Sequence, residues 1–449
     1  MPYEGEFAPY RALQRIVQTE RVQQLLRRAK VYIPGASGPS IIPSRPPAAD
    51  EPLPEFIVAI DGSSQEVAVK TGYPGARVGY LTVASVLLDL GAVDRLDEGR
   101  PADPVAFRKT EDAATIDAAL PGSNVITRTH KSAKVAFREE LYEVLHNEVV
   151  DAQDRVPLLE TYEALLACKP ASRLQSCPYQ EFGCEQSFMI GQGLTACPCG
   201  ERRPIWSTDA LRIHERFNDV GTNGEAFGEV MQVWERVLLV HLLRAFERRG
   251  FLTQAHRLAF FVDGPLALFG HPAWLSAAIS AELQRINSQV LAVSGRDLVI
   301  VGVEKTGAFV AHFDDVDQTE EPGKERFDPG TYFLPTDRYI KERIIYSESV
   351  KRYGEDTYFG RKFFYKTISG ARIVASIPFL NARQDTIDSD SIEIYPSFGT
   401  VCALLDKLVS CRYPNALAPL VSAHAQAAIP LHLGAKVLEQ LAYALMREQ

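Results

Sequence analysis

An α/β protein built on a mixed sheet with helices on both faces is predicted from three features of this 449-residue chain. Short, unbroken apolar runs bounded by turn residues recur at 56–60 and 258–262, the pattern of strands buried on both faces. Between such runs lie segments with helical periodicity, the longest at 224–249. The two kinds of segment interleave along the chain instead of separating into blocks, which favours a sheet covered by helices.

The elements follow in order. Residues 8–30 read as a helix, with apolar Leu13, Ile16, Val17 and Leu25 and a basic end at Arg27, Arg28 and Lys30. A Pro-, Gly- and Ser-rich stretch follows, so the helix is expected to be an arm on a linker. Strands are expected over 55–61 and 77–88, and helices over 133–149 and 153–167. Residues 168–206 break the periodicity and read as an inserted module. The long helix comes next, then a strand over 258–263 and a helix over 273–286. Further strands are expected at 297–303, 307–313, 358–367 and 371–377, and helices at 400–409, 415–428 and 434–446. The implied organisation is an arm and linker over 1–50, a first part of the core over 51–167, a Cys-rich insertion over 168–223 and a second part of the core over 224–449.

Composition narrows the class. A chain of this length is expected to hold two or three structural units. Hydrophobic residues at 46% and charged residues at 23% are those of a globular protein, not a disordered one. No apolar run reaches the roughly 18–20 residues that span a bilayer, and the first residues lack a basic stretch followed by an apolar one. A cytoplasmic protein is therefore expected. The net charge of -9 weighs against a general nucleic-acid binder, whose surplus is basic. It leaves room for a local basic groove, or for a partner that supplies the grip.

The residues that carry chemistry are acidic. Asp61 and Asp263 each follow a buried apolar run and precede a glycine. At the end of a strand the sheet would aim such a carboxylate, and the glycine would let a substrate come close. Asp-Gly is also an ordinary turn signal; the repetition of the whole pattern is what singles it out. Glu235 lies on the long helix among Met231, Leu238, Leu239 and Leu242, on one apolar face. Burying it calls for a partner, either a metal ion or an arginine at the edge of the core. Glu225 and Glu229 lie on a more polar side, near Gln232 and Arg236. Asp61, Glu235 and Asp263 together suggest a carboxylate cluster for hard divalent ions such as Mg²⁺ or Mn²⁺, which can drive phosphodiester hydrolysis. His424, on a helical stretch after Leu420 and Val421, could ligate metal or handle protons, or simply be a core histidine. Lys305, after the strand ending near Val303, could neutralise a phosphate or stand as a solvated strand-end charge.

The ordered set IDGS at 60–63, VDG at 262–264, GVEK at 302–305 and YP…LVSAH at 413–424 resembles the NurA nucleases, which work with HerA-type hexameric ATPases on DNA ends. The resemblance covers most of 55–449. It implies an RNase H-like, PIWI-related fold, a Mn²⁺-dependent (or Mg²⁺-dependent) deoxyribonuclease active in DNA end resection and repair, and a homodimer that partners DNA and a HerA-like ATPase. By position, Asp61 and Asp263 match the family's metal-binding aspartates, and Glu235 its helical glutamate, with Glu229 as the alternative. Tyr413 and His424 match its late tyrosine and histidine, and Lys305 its strand lysine. Two other roles stay open: the nuclease subunit of an antiphage complex, or a non-catalytic RNase H-like adaptor of an ATPase.

Seven cysteines are present, four of them clustered at Cys177, Cys184, Cys197 and Cys199. In a cytosolic chain such clustering points to metal before disulfides. Four thiolates could close a structural Zn²⁺ site, although CxxC pairs are absent and His214 could replace one ligand. The alternative is four unrelated reduced thiols. This insertion is outside the pattern of the NurA family.

Overall fold

The apolar run at 56–60 starts a strand more than twice its own length. The computed structural model describes residues 11–29, 40–50, 52–69, 75–91, 111–150, 154–170, 174–319, 324–381, 391–409, 417–429 and 437–441. In it, β1 spans Phe56–Ala68, β2 Arg77–Asp89 and β3 Glu111–Pro121, an antiparallel meander. Four short strands follow: β4 (Gln175–Ser176), β5 (Ser187–Phe188), β6 (Leu194–Ala196) and β7 (Pro204–Trp206). The remainder are β8 (Leu258–Asp263), β9 (Val299–Glu304), β10 (Thr331–Phe333), β11 (Gly360–Lys366) and β12 (Arg372–Pro378). The main sheet has eight strands in the order β10-β11-β12-β9-β8-β1-β2-β3. β8 lies parallel to β1 on one side and to β9 on the other, and the remaining pairs are antiparallel. An antiparallel meander continued by two parallel strands at its first member is the mixed α/β arrangement expected of an RNase H-like core.

The helices are α1 (Arg11–Gln18), α2 (Glu20–Arg28), α3 (Ala133–Asn147), α4 (Leu158–Leu166), α5 (Gly224–Arg248), α6 (Leu275–Ser294), α7 (Ala308–Asp317), α8 (Asp337–Arg343), α9 (Phe398–Leu408) and α10 (Ala418–Ala427). Alternation along the strands sorts them into two layers. Val58, Ile60, Phe260, Val262 and Ile300 pack with Trp234, Leu238 and Ile279 under α3–α6. Ile57, Ala59, Phe261, Val299 and Val301 pack with Val401, Leu405 and Leu420 under α9 and α10. Both faces are covered, which is why the strands read as continuous apolar runs.

Three expectations change. The single helix over 8–30 is two helices, broken at Thr19, whose ψ of 122° is extended; α2 buries none of its residues. The strand expected at 307–313 is helix α7: Phe309 and Phe313, four residues apart, are its buried face. β3 was not anticipated, because Ala and Asp, which dominate it, are poor strand formers; its pairing with β2 over the whole of 111–121 holds it in the sheet. Of the helix expected at 434–446, residues 437–441 are helical and the rest lie outside the described residues. Among the described residues no helix is long and apolar enough to cross a membrane.

Candidate metal centre

Asp61 is not at the end of a strand, as the pattern suggested, but in the middle of one. β1 continues to Ala68 against β2, with Asp61 opposite Ala84. Its parallel ladder with β8 stops one residue earlier, at Ile60 opposite Val262. β8 itself ends at Asp263, opposite Val303 of β9. β1 and β8 therefore part at the two aspartates, and the fork between them is the place where both carboxylates emerge. Lys305, one residue past β9, closes it: its Nζ lies 2.8 Å from Asp263 Oδ1 and 3.3 Å from Asp61 Oδ2. From the α10 side, His424 Nδ1 lies 3.1 Å from the same Asp61 oxygen.

Glu235 reaches the fork from the opposite layer. It is 4% exposed, inside α5, and its Oε2 accepts from Arg236 Nη1 at 2.7 Å. The arginine partner weighed from the sequence is thus present, and it is the next residue in the chain. Arg236 does more than neutralise: its Nη2 donates to the carbonyls of Asp263 and Pro265 at 2.9 and 3.0 Å, tying α5 to the turn after β8. Helical periodicity puts this arginine on the polar side of the helix, yet it is 3% exposed. Gly62 explains the Asp-Gly pair on β1. A Cβ there would stand 2.7 Å from Glu235 Oε1 and 2.8 Å from Met231 Cγ. The missing side chain lets the helix and its carboxylate come down onto the strand beside Asp61, so this glycine serves the helix and not the approach of a substrate. Gly264 differs, with φ of +76°, a left-handed turn residue.

The charges are poorly matched. Burial pushes the Asp61 carboxyl up, and the Asp263 charge adds to it, against the pull of Lys305 and His424. Burial likewise pushes Glu235 up to about 7, with Asp61 and Asp263 adding to the rise and Arg236 opposing it. Burial works against the charge on Lys305, yet Asp263 and Asp61 outweigh it and hold the ammonium above its ordinary value. Burial is thus the larger cause of both rises, and the like charge of neighbouring carboxylates adds to it. The oxygen donors gathered here are of the kind that a hard divalent ion takes. With Lys305 between the two aspartates the set stands open: among the described residues, only Cys177, Cys184 and Cys197 form a trio of ligand atoms all within 4.8 Å of one another.

The remaining candidates divide. Glu229 forms an ion pair with Arg216, and a Cβ on Gly270 would meet it, so it faces away from Gly62 and the aspartates. Tyr413 lies outside the described residues. The four clustered cysteines and His214 lie in the module that carries β4–β7, separate from the fork. Arg236 and Met231 complete the fork; sequence reading gave neither a role there. The signal for Arg236 was available, since a buried glutamate on a helix needs a cation close by.

A carboxylate centre at a strand fork in a mixed α/β sheet is the class of site that fold and geometry define. Solved structures similar to the chain include two of NurA. One is the NurA nuclease from Sulfolobus solfataricus, at 11% identity and a TM-score of 0.32, covering 98% of this chain and 97% of that one. The other is a NurA structure at 10% identity and a TM-score of 0.26, covering 97% and 95%. Likeness at this level carries no weight for the residues of the fork, which stand on their own geometry. No family model and no curated protein matches the chain.

Proposed function

We propose that this chain is a divalent-metal-dependent nuclease that hydrolyses DNA phosphodiester bonds at the fork between β1 and β8. The observation that carries this reading is the meeting of Asp61 and Asp263 around one Lys305 Nζ, at 3.3 and 2.8 Å, with Glu235 of the long helix packed over Gly62 beside Asp61. Asp61, Glu235 and Asp263 would hold Mn²⁺ or Mg²⁺, with His424 as a further ligand or proton carrier. Such an ion, when bound, activates a water and stabilises the leaving oxygen of a phosphodiester.

The protein's own groups have separable tasks. Asp61 orients His424 through Nδ1, and the ring, 59% exposed at its side chain, can present its other nitrogen to a leaving oxygen. Lys305 Nζ is placed to meet a non-bridging phosphate oxygen beside the aspartates. Arg236 keeps Glu235 and the turn after Asp263 in fixed relation. DNA as the substrate, a HerA-like hexameric ATPase as the partner and a homodimeric state rest on the ordered motifs shared with NurA nucleases. The net charge of -9 suits a nuclease whose partner supplies the grip on the phosphate backbone.

The test is cleavage of end-labelled DNA with Mn²⁺, with and without a HerA-type ATPase. Cleavage that a chelator abolishes and added Mn²⁺ restores is expected. DNA left intact under both conditions would overturn the proposal and leave a non-catalytic role.

A further inference from the structure

Outside the fork, one group of side chains is arranged for a ligand of different chemistry. The module after α4 carries two small hairpins, β4–β5 and β6–β7. Cys177 follows β4, Cys184 precedes β5, and Cys197 and Cys199 lie in the turn between β6 and β7. The hairpins bring their sulfurs together: Cys177 Sγ and Cys184 Sγ lie 3.4 and 3.5 Å from Cys197 Sγ. All of them are free thiols, so the closeness is not that of disulfides.

Three features specify what would sit among them. A tetrahedron of sulfurs about 2.3 Å from a zinc ion has edges of about 3.8 Å, close to the spacing here and far short of what an iron–sulfur cluster separates. A backbone amide also turns toward the sulfurs: the Cys199 nitrogen lies 3.4 Å from Cys197 Sγ. An N–H aimed at sulfur is the kind of outer contact that orients a metal ligand. Finally, Cys199 shares the turn between β6 and β7 with Cys197, two residues away, whereas His214 turns Nδ1 toward Asp209 Oδ1 at 3.9 Å. The fourth corner is therefore a cysteine and not the histidine.

We infer that Cys177, Cys184, Cys197 and Cys199 form a closed four-thiolate zinc site that pins the two hairpins of the inserted module to each other. The site is structural, because four protein ligands leave no position for water or substrate. Its ligand chemistry is opposite to that of the fork: soft sulfur here, hard oxygen there. The two sites can therefore be loaded and stripped independently, and this inference stands whether or not the chain cleaves DNA.

The module's surroundings fit that role. Cys177, Cys184 and Cys197 are buried and join the same core as α3–α6, through Tyr179, Ile205 and Trp206. Arg138 on α3 makes bonds of 2.6 and 2.7 Å to both oxygens of Asp209 and lies 4.4 Å from the centre of the Tyr179 ring. The body of the protein thus holds the base of the module. Its hairpins have strands of only two and three residues, short for pairing alone to hold them.

Metal analysis of the full-length protein, purified without added metal, should find one zinc per chain, and X-ray absorption should show four sulfurs at about 2.3 Å. Cys199→Ser should lower zinc retention at least tenfold against a competing chelator. Cys168→Ser, an exposed thiol outside the set, should leave it unchanged. Absence of zinc, iron in its place, a disulfide among the four, or a nitrogen in the coordination sphere would each overturn the inference. The spectrum of the wild-type protein decides even if Cys199→Ser fails to fold.

Discussion

Asp61 and Asp317 are almost equally buried, 1% and 0% exposed, and both answer to positive side chains, yet the protein treats them in opposite ways. Asp317, at the end of α7, accepts from Lys366 Nζ at 2.8 Å, Arg372 Nε at 2.6 Å and the Phe327 amide at 2.8 Å. Burial works to raise its carboxyl, but these bonds hold it below the usual carboxylate range. Glu325, half-exposed, shares the same two cations at 2.6 and 2.7 Å. The charges in that cluster answer one another. At the fork, three carboxylates share Lys305, Arg236 and a histidine, and both Asp61 and Glu235 are held above their ordinary values. A buried carboxylate whose bonds offset its burial is scaffold; buried carboxylates left above their ordinary values mark a candidate binding site.

Breaking each cluster should therefore have opposite consequences. Asp61→Asn should reduce Mn²⁺-dependent DNA cleavage by roughly 10³-fold while leaving thermal stability equal or higher, since it removes one of the repelling charges. Turnover assays and melting curves on the same preparation check both halves. Asp317→Ala should do the reverse, costing about 3–5 kcal/mol in urea unfolding because Lys366 and Arg372 lose their buried partner. Cleavage per folded molecule should hardly change. A large loss of turnover in the Asp317 variant would erase the distinction between the two clusters.

Gly62→Ala sharpens the comparison from the packing side. Its Cβ would push Glu235 off the strand, so cleavage should fall by about 10²-fold. The strain of overpacking should cost about 1–3 kcal/mol. Unaltered activity would mean that Glu235 is not needed at the fork.

The smallest effect is in pH. Asp317 has a folded-state value below the ordinary 3.8, so the unfolded chain binds the proton first as pH falls. Its contribution to stability is fully present above about pH 5 and is lost as pH drops below 3.8 toward the folded value. Denaturation of wild type and Asp317→Ala at pH 5 and pH 3 should show the difference between them shrinking at the lower pH.

How much of this was legible beforehand follows from what each residue depends on. Asp61 and Asp263 could be found because two apolar runs each end in Asp-Gly, a local pattern, and Glu235 because a carboxylate broke an apolar helical face. Lys305 and His424 were placed through motif order. The position of Asp61 within its strand was not legible, since it depends on where β1 parts from β8, a contact between residues about 200 positions apart. Arg236 was misjudged because helical periodicity places it beside polar Glu229 and Gln232, while its true partners are carbonyls beyond β8. The same short-range reading makes α7 a strand: the seven residues 307–313, of mixed apolar character, fit either period. The spacing of the four cysteines showed that they were near one another in sequence, but the meeting of Cys177, Cys184 and Cys197 sulfurs depends on how the two hairpins pack.

Titration calorimetry of Mn²⁺ into the zinc-loaded protein tests the central claim most directly, because the hard ion ignores thiolates and reports on the fork alone. Wild type should bind Mn²⁺, and the Asp61→Asn, Asp263→Asn double variant should show no measurable heat of binding while remaining folded. Binding of Mn²⁺ by that variant with wild-type affinity would contradict the assignment of the fork as a metal centre.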